Sequence, residues 1–261
     1  MNCSSVKLLN SIDKAETIVK ELKIRDPSEI SIRDIAMERG VYVKEDVLEG
    51  SEARLIRRGN IGIATISSEI PECGRKRFAI AHELGHFELH SKSQLVECEE
   101  EDLLIWNECK VQEMEANQFA ASLLMPYDLF CSYIDRGQPN FRNIKNISEK
   151  FRTSLTATAL RYVSLSSEPC AIAITQDEKI RWYMRSKNFE LCLKVDEKLR
   201  VYEEFDGTNL IVDVPTAPVK VPAVAWINGI KDPYAMIYEQ SVKLKRYNIL
   251  LSLLWIDEDI Y

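Results

Sequence analysis

Apolar residues recur at helical spacing over residues 5–23, where Val6, Leu9, Ile12, Ala15, Val19 and Leu22 fall on one side of a helix. Asp26-Pro27 breaks that helix. Ser31 is placed to cap a short helix that ends at Gly40. The pattern then shortens: residues 55–58 and 61–64 are apolar-rich runs flanking Gly59-Asn60, which is a hairpin signal. Helical character returns over about residues 74–90, where Arg77-Phe78-Ala79-Ile80-Ala81 is apolar enough for a buried helix, and again over about 103–124, stopped by Pro126. Residues 127–163 read as further helix. Within them ISEKFRTSLTATALRYV is similar to the second half of a helix-turn-helix, with Thr153-Ser154 as the turn. Residues 164–169 form a linker, and the character then changes. Residues 171–174, 180–185, 223–227 and 242–244 are β-rich, 247–255 is strongly apolar, and every tryptophan except Trp106 lies in this part. The pattern predicts an α+β chain in three segments: 1–126, a helical extension over 127–163, and an α+β domain over 164–261.

Composition narrows the function classes. A chain of 261 residues with 46% hydrophobic residues can bury a real core. A net charge of −7 argues against a broad nucleic-acid or anionic-membrane footprint. Arg54, Arg57 and Arg58 read as a solvated hairpin. The helix-turn-helix-like segment lacks a basic recognition helix, so a packing role is expected for it and direct nucleic-acid binding is not. Seven cysteines without a C-x-x-C pair read as reduced, mostly buried thiols of a cytoplasmic protein. No apolar h-region follows the first residues and no apolar run approaches about 18 residues, so neither a signal peptide nor a membrane span is expected.

All three histidines of the chain fall within AHELGHFELHS, residues 81–91. His82 and His86, four apart on a helix, lie on one face and can offer two imidazole nitrogens to one ion. Zinc accepts such nitrogens at about 2.0–2.1 Å. Glu83 sits roughly 100° round the helix, beside the pair, where it can act as a general base on a water. This is the H-E-x-x-H arrangement of zinc peptidases. Such a pattern also arises by chance on helix surfaces, so its context decides. His90 would lie about 12 Å along the axis from His82, too far for one ion to hold all three, and reads as a helix-end histidine favourable to the macrodipole. Gly85 inside the helix costs about 1 kcal/mol against Ala and calls for a packing reason.

A zinc peptidase site needs a third protein ligand. Glu97, Glu99, Glu100, Glu101 and Asp102 read as a solvated acidic loop. EMEANQFAASLLMP, residues 113–126, offers a better candidate. Wound at about 100° per residue, it gathers Ala116, Phe119, Ala120, Leu123 and Leu124 on one arc. Glu113 and Asn117 lie within the arc, Glu115 lies outside it, and Gln118 and Ser122 lie opposite. A carboxylate aimed into a core is costly unless paired or metal-bound, so Glu113 is the candidate third ligand. Asn117 is placed to orient a ligand from behind.

HELGHFELH, preceded by RFAIA and followed by EMEANQFAASLLMP, resembles the ImmA/IrrE-type metallopeptidases, which pair HExxH with a downstream ExxANxFAxxLLMP. The specific match covers about residues 75–126, and looser similarity runs from about 30 to 163. The resemblance implies a zincin-like N-terminal metallopeptidase domain, with His82, His86 and Glu113 as Zn2+ ligands and Glu83 as base. It also implies a C-terminal domain that can be sensor-like, although the residues of 164–261 by themselves fit a scaffolding role equally well, and a helix-turn-helix repressor as protein substrate, cut to relieve repression of stress or mobile-element genes.

These readings predict a zinc-dependent endopeptidase with a His/His/Glu site. A second electrophile for the oxyanion would come from His90 or a tyrosine. The hairpin over 55–64 is expected to offer a strand to which an extended substrate adds. The competing expectation is a non-catalytic, zinc-containing sensor or partner-binding protein. Glu83 argues against it, because a purely structural site has no use for a base there.

Overall fold

The computed structural model describes residues 3–90, 95–98, 111–135, 137–195, 197 and 213–256. It is a mixed α+β structure with two sheets, and its chain divides into two compact units: residues 1–133 with 147–154, and residues 134–146 with 155–261.

The first unit opens with α1 (Cys3–Glu21). Its buried side is centred on Ser11, Ala15, Ile18 and Val19, whereas Leu9 is 50% exposed. The apolar stripe read from the sequence is therefore rotated, because Ser11 is taken into the core with its hydroxyl bonded to the Leu8 carbonyl. The break at Asp26-Pro27 is a 3-10 turn closed by a capping box between Asp26 and Glu29. Helix α2 (Ile32–Glu38) starts after Ser31 and ends before Gly40, where the pattern predicts, but the Ser31 side chain makes no capping hydrogen bond. Gly40 holds a φ of +87°, which explains a glycine there.

Strands β1 (Val41–Asp46), β2 (Ala53–Arg58), β3 (Ile61–Ser67) and β4 (Leu95–Cys98) form one sheet in the order β1-β3-β2-β4. The β2–β3 hairpin turns at Gly59-Asn60, with Arg58 opposite Ile61. Both of its strands are interior, because β1 pairs with β3 and β4 pairs with β2 along Ala53–Ile56. This corrects the expectation that the hairpin offers an open edge to substrate: β3 is paired on both sides, and β2 is paired with β4 along Ala53–Ile56. Glu97 lies in β4, opposite Arg54, and not in a loop. Residues 99–102 of the acidic run, and 103–110 of the expected helix, lie outside the described residues.

Helix α3 (Cys73–Leu89) packs against this sheet and against α4 (Val111–Leu124), and α4 packs on α1. Pro126 ends α4 and begins α5 (Tyr127–Cys131). Burial of Phe78, Ala79, Ile80, Ala81 and Leu84 makes α3 a core helix, as its composition predicts. Glu88 near its C-terminus pairs with Arg39 at 2.7 Å and with Lys14 at 3.1 Å. Arg57 donates to the Phe87 carbonyl at 2.6 Å and lies over the Phe87 ring. That arginine is thus a brace on the helix end, where basic groups are favoured.

Helix α6 (Phe141–Phe151) contributes residues to both units and is followed, after a turn at Arg152 with φ +54°, by α7 (Leu155–Leu165). In α7, Thr158, Ala159, Leu160, Tyr162 and Val163 are buried, the pattern of a packing helix.

The second unit holds β5 (Cys170–Gln176), β6 (Lys179–Arg185), β7 (Val219–Pro222), β8 (Met236–Leu244) and β9 (Ile249–Trp255) in an antiparallel sheet ordered β6-β5-β9-β8-β7. The β5–β6 turn sits on Asp177 and Glu178, both with positive φ. The expected strand at 223–227 is instead a 3-10 turn, Ala223–Ala225, because Pro222 ends β7 and Trp226 drops into the core at 0% exposure. Among the described cysteine side chains, Cys170 is buried while Cys73 and Cys192 are exposed, so the expectation of mostly buried thiols does not hold for them. Among the described residues, no helix is long and apolar enough to cross a membrane.

Candidate metal centre

Helix α3 presents His82 and His86 on one face, and α4 presents Glu113 to it. His82 Nε2 and His86 Nε2 are 3.0 Å apart, and Glu113 Oε2 is 3.1 Å from the first and 3.2 Å from the second. Among the described residues these three form a group that can hold a metal ion. Both imidazoles and Glu83 are buried, and the Glu113 side chain is 13% exposed.

The donor chemistry fits a cation. Asn117 Oδ1 lies 2.9 Å from His82 Nδ1. That oxygen can only accept, so Nδ1 carries the proton and Nε2 turns a lone pair towards His86 and Glu113. Burial lowers the His86 pKa to about 4, so its imidazole is neutral near pH 7, the form that ligates. The Glu113 carboxyl faces the two Nε2 atoms, and an ordinary carboxyl is ionised near pH 7. The triangle therefore consists of two neutral nitrogens and one anionic oxygen. Donors about 2.0–2.1 Å from a tetrahedral ion stand about 3.3 Å apart. The observed separations of 3.0–3.2 Å are close to one face of such a tetrahedron.

Gly85 has the packing reason its position called for. A Cβ there would stand 3.1 Å from Ala116 Cα and 3.1 Å from Phe119 Cδ1. Glycine lets α4 approach α3 closely enough for Glu113 to reach the histidines.

Two expectations are corrected at the end of α3. His90 caps the helix at φ −116°, ψ 62°, the helix-end place expected for it, and is 8% exposed, but it is not available as an electrophile. Its Nδ1 is 3.0 Å from His86 Nδ1, and its Nε2 is 2.9 Å from Glu115 Oε2. Both ring nitrogens are engaged, so His90 has none left for a substrate oxyanion. Glu115, which the helical wheel turned outward, is 8% exposed. A wheel registers where apolar side chains gather, and a carboxylate buried by a polar partner leaves no mark on it. Ser122, placed opposite the apolar arc, is likewise at 0% exposure. The signal that was available is His90 itself, a third histidine one helical turn after His86 whose ring nitrogens need polar partners.

Two histidines one helical turn apart, joined to a carboxylate of a neighbouring helix, define a metallopeptidase-type donor set. Residues 61–162 match the peptidase family described as the IrrE N-terminal-like domain, which supports an ImmA/IrrE type for that part of the chain. A solved structure, described as a Mycobacterium tuberculosis transcriptional regulator, is similar at a TM-score of 0.61 and 14% identity, covering 95% of this chain and 88% of that one. At that identity the likeness is one of fold. No curated protein matches the chain.

Proposed function

We propose that this protein is a cytoplasmic, zinc-dependent endopeptidase that makes a limited cut in a helix-turn-helix transcriptional repressor. The observation that carries the peptidase reading is the triangle of His82, His86 and Glu113, with Glu83 buried on the same helix. Two imidazoles and one carboxylate are the donor set of catalytic zinc sites, which leave a fourth position open. When bound, zinc supplies Lewis acidity that activates water and polarises a carbonyl. The chain's own residues do the rest. Asn117 fixes the His82 tautomer. Glu83 accepts a proton from the attacking water and passes it to the leaving amine. The zincin-like assignment of the first unit and a regulatory role for the second belong to the same proposal. The family match supports a peptidase, and the fold shared with a transcriptional regulator supports a setting in transcriptional control.

The test is metal analysis beside peptide hydrolysis. The wild type is expected to hold one zinc per chain and to cleave its target. Glu83→Gln is expected to keep the zinc and lose about 10²–10⁴-fold in rate, because an amide cannot take the proton. Wild-type cleavage by that variant would overturn the mechanism.

A further inference from the structure

His90 and Glu115 form the second half of a chain of contacts that begins at a proposed ligand, and neither has another partner among the described residues. Glu115 Oε2 stands 2.9 Å from His90 Nε2, and His90 Nδ1 stands 3.0 Å from His86 Nδ1. The proton positions follow from the ends inward. A carboxylate oxygen accepts, so His90 Nε2–H donates to Glu115. A neutral His90 then has a lone pair on Nδ1, and that lone pair accepts from His86 Nδ1–H. His86 is left with its lone pair on Nε2, the atom that faces His82 and Glu113 at 3.0 and 3.2 Å. Between His86 and Glu115 every donor then meets an acceptor, while the Nε2 lone pairs of His82 and His86 and the Glu113 oxygen face one another, an arrangement that a cation would satisfy.

The geometry points to Glu115 and His90 as positioning residues that fix the tautomer and ring orientation of His86 for metal binding. The inference rests on the zinc reading proposed above and deepens it. On His82 the same task falls to Asn117, in one step. On His86 it takes two side chains, because the helix ends at Leu89 and His90 turns back over the last turn. The contact also ties α3 to α4 a second time. Glu113 meets His82 and His86, while two residues on Glu115 meets His90. A partner behind a metal-bound histidine typically contributes 10–100-fold in metal affinity.

Zinc affinity of the full chain, measured by competition with a chelator, is the primary readout, and the visible absorption of the cobalt-substituted protein is the second. His90→Phe keeps a ring in place but offers no acceptor to His86. It is expected to weaken zinc binding about 10–100-fold and to shift the cobalt spectrum. His90→Gln offers both an amide oxygen and an N–H, and is expected to recover most of the affinity and the wild-type spectrum. Glu115→Ala is expected to weaken zinc in the wild-type background but to add little to His90→Phe, since it acts through that ring. His90→Phe with unchanged affinity and spectrum would overturn the relay, as would a Glu115→Ala loss that is equal in both backgrounds. If His90→Gln fails to improve on His90→Phe, the ring serves packing alone and the relay is again refuted. Wild type that takes up no zinc, or that keeps it after His82→Ala, overturns the zinc reading and this inference with it. Zinc lost with His82→Ala but indifferent to His90 overturns the relay alone.

Discussion

Two carboxylates two positions apart on α4 have different partners. Glu113 faces His82 and His86, and Glu115 faces His90. Glu113→Ala is expected to lower zinc affinity by more than the 10–100-fold typical of groups behind a ligand, whereas Glu115→Ala stays within that range. Chelator competition on both variants measures the difference, and equal losses would mean that Glu113 is not a ligand. Helical spacing alone singled out His82, Glu83, His86, Glu113 and Asn117, and direct side-chain contacts gather all but Glu83 of these around one point. Such spacing is local, so the chain carries it openly. Polar pairing across elements is not local, and Glu115 was invisible for that reason. So was Glu239 in the second unit. It is 5% exposed and takes hydrogen bonds from Trp226 Nε1 at 2.9 Å and Ser241 Oγ at 2.7 Å. Burial raises its carboxyl above the ordinary 4.5. The folded state therefore keeps a proton that the unfolded chain has lost, so this group's contribution is full below pH 4.5 and fades as pH rises through the folded value. Glu239→Gln cannot ionise and can satisfy the same partners. Its stability relative to wild type is expected to grow from about pH 5 to about pH 8, read as the urea midpoint at each pH. A constant gap would refute the burial argument.

At the scale of elements, the site depends on how closely α3 and α4 approach. Gly85 sets that distance. Ala at this position gains about 1 kcal/mol of helix propensity. Its Cβ, however, would meet the Ala116 backbone at 3.1–3.2 Å. Backbone does not swing aside as a side chain does, and overpacking of this kind costs about 1–3 kcal/mol. Gly85→Ala is thus expected to lower the melting temperature, and to weaken zinc binding as Glu113 is pushed from the histidines. A variant more stable than wild type with full zinc affinity would show that the contact is slack. The same locality argument sorts what the sequence made legible. Helix α3, the end of α4 at Pro126 and the β2–β3 turn at Gly59-Asn60 are written in contiguous residues, and they appear where expected. Strand β1 and the order β1-β3-β2-β4 depend on pairings between distant segments, which no short stretch encodes. That is why the hairpin could be mistaken for an open edge.

At the scale of the whole molecule, the question is what the proposed peptidase would cut. The family match covers residues 61–162, while the fold likeness to a transcriptional regulator extends over 95% of the chain. Among the described residues, the segment beyond the match, with its own five-stranded sheet, has no part in the His82–His86–Glu113 triangle. A second folded unit whose described residues supply no ligand is suited to selecting a partner or gating a cut, and less suited to general digestion. If the proposed cytoplasmic location holds, an unguarded protease site would be hazardous to the host, which also favours one narrow substrate. Strand addition along the hairpin is a poor source of that selectivity, since β3 is paired on both sides and β2 is paired with β4 along Ala53–Ile56. The expected outcome is therefore one cut in one regulator. Zinc-loaded protein is incubated with helix-turn-helix repressors encoded near it and, separately, with unfolded casein, each beside the Glu83→Gln variant. A single fragment pair from a repressor, absent with the variant and with casein left whole, would support the substrate class. Broad degradation of casein with every neighbouring repressor intact would sink it, and would recast the second unit as a scaffold rather than a selector.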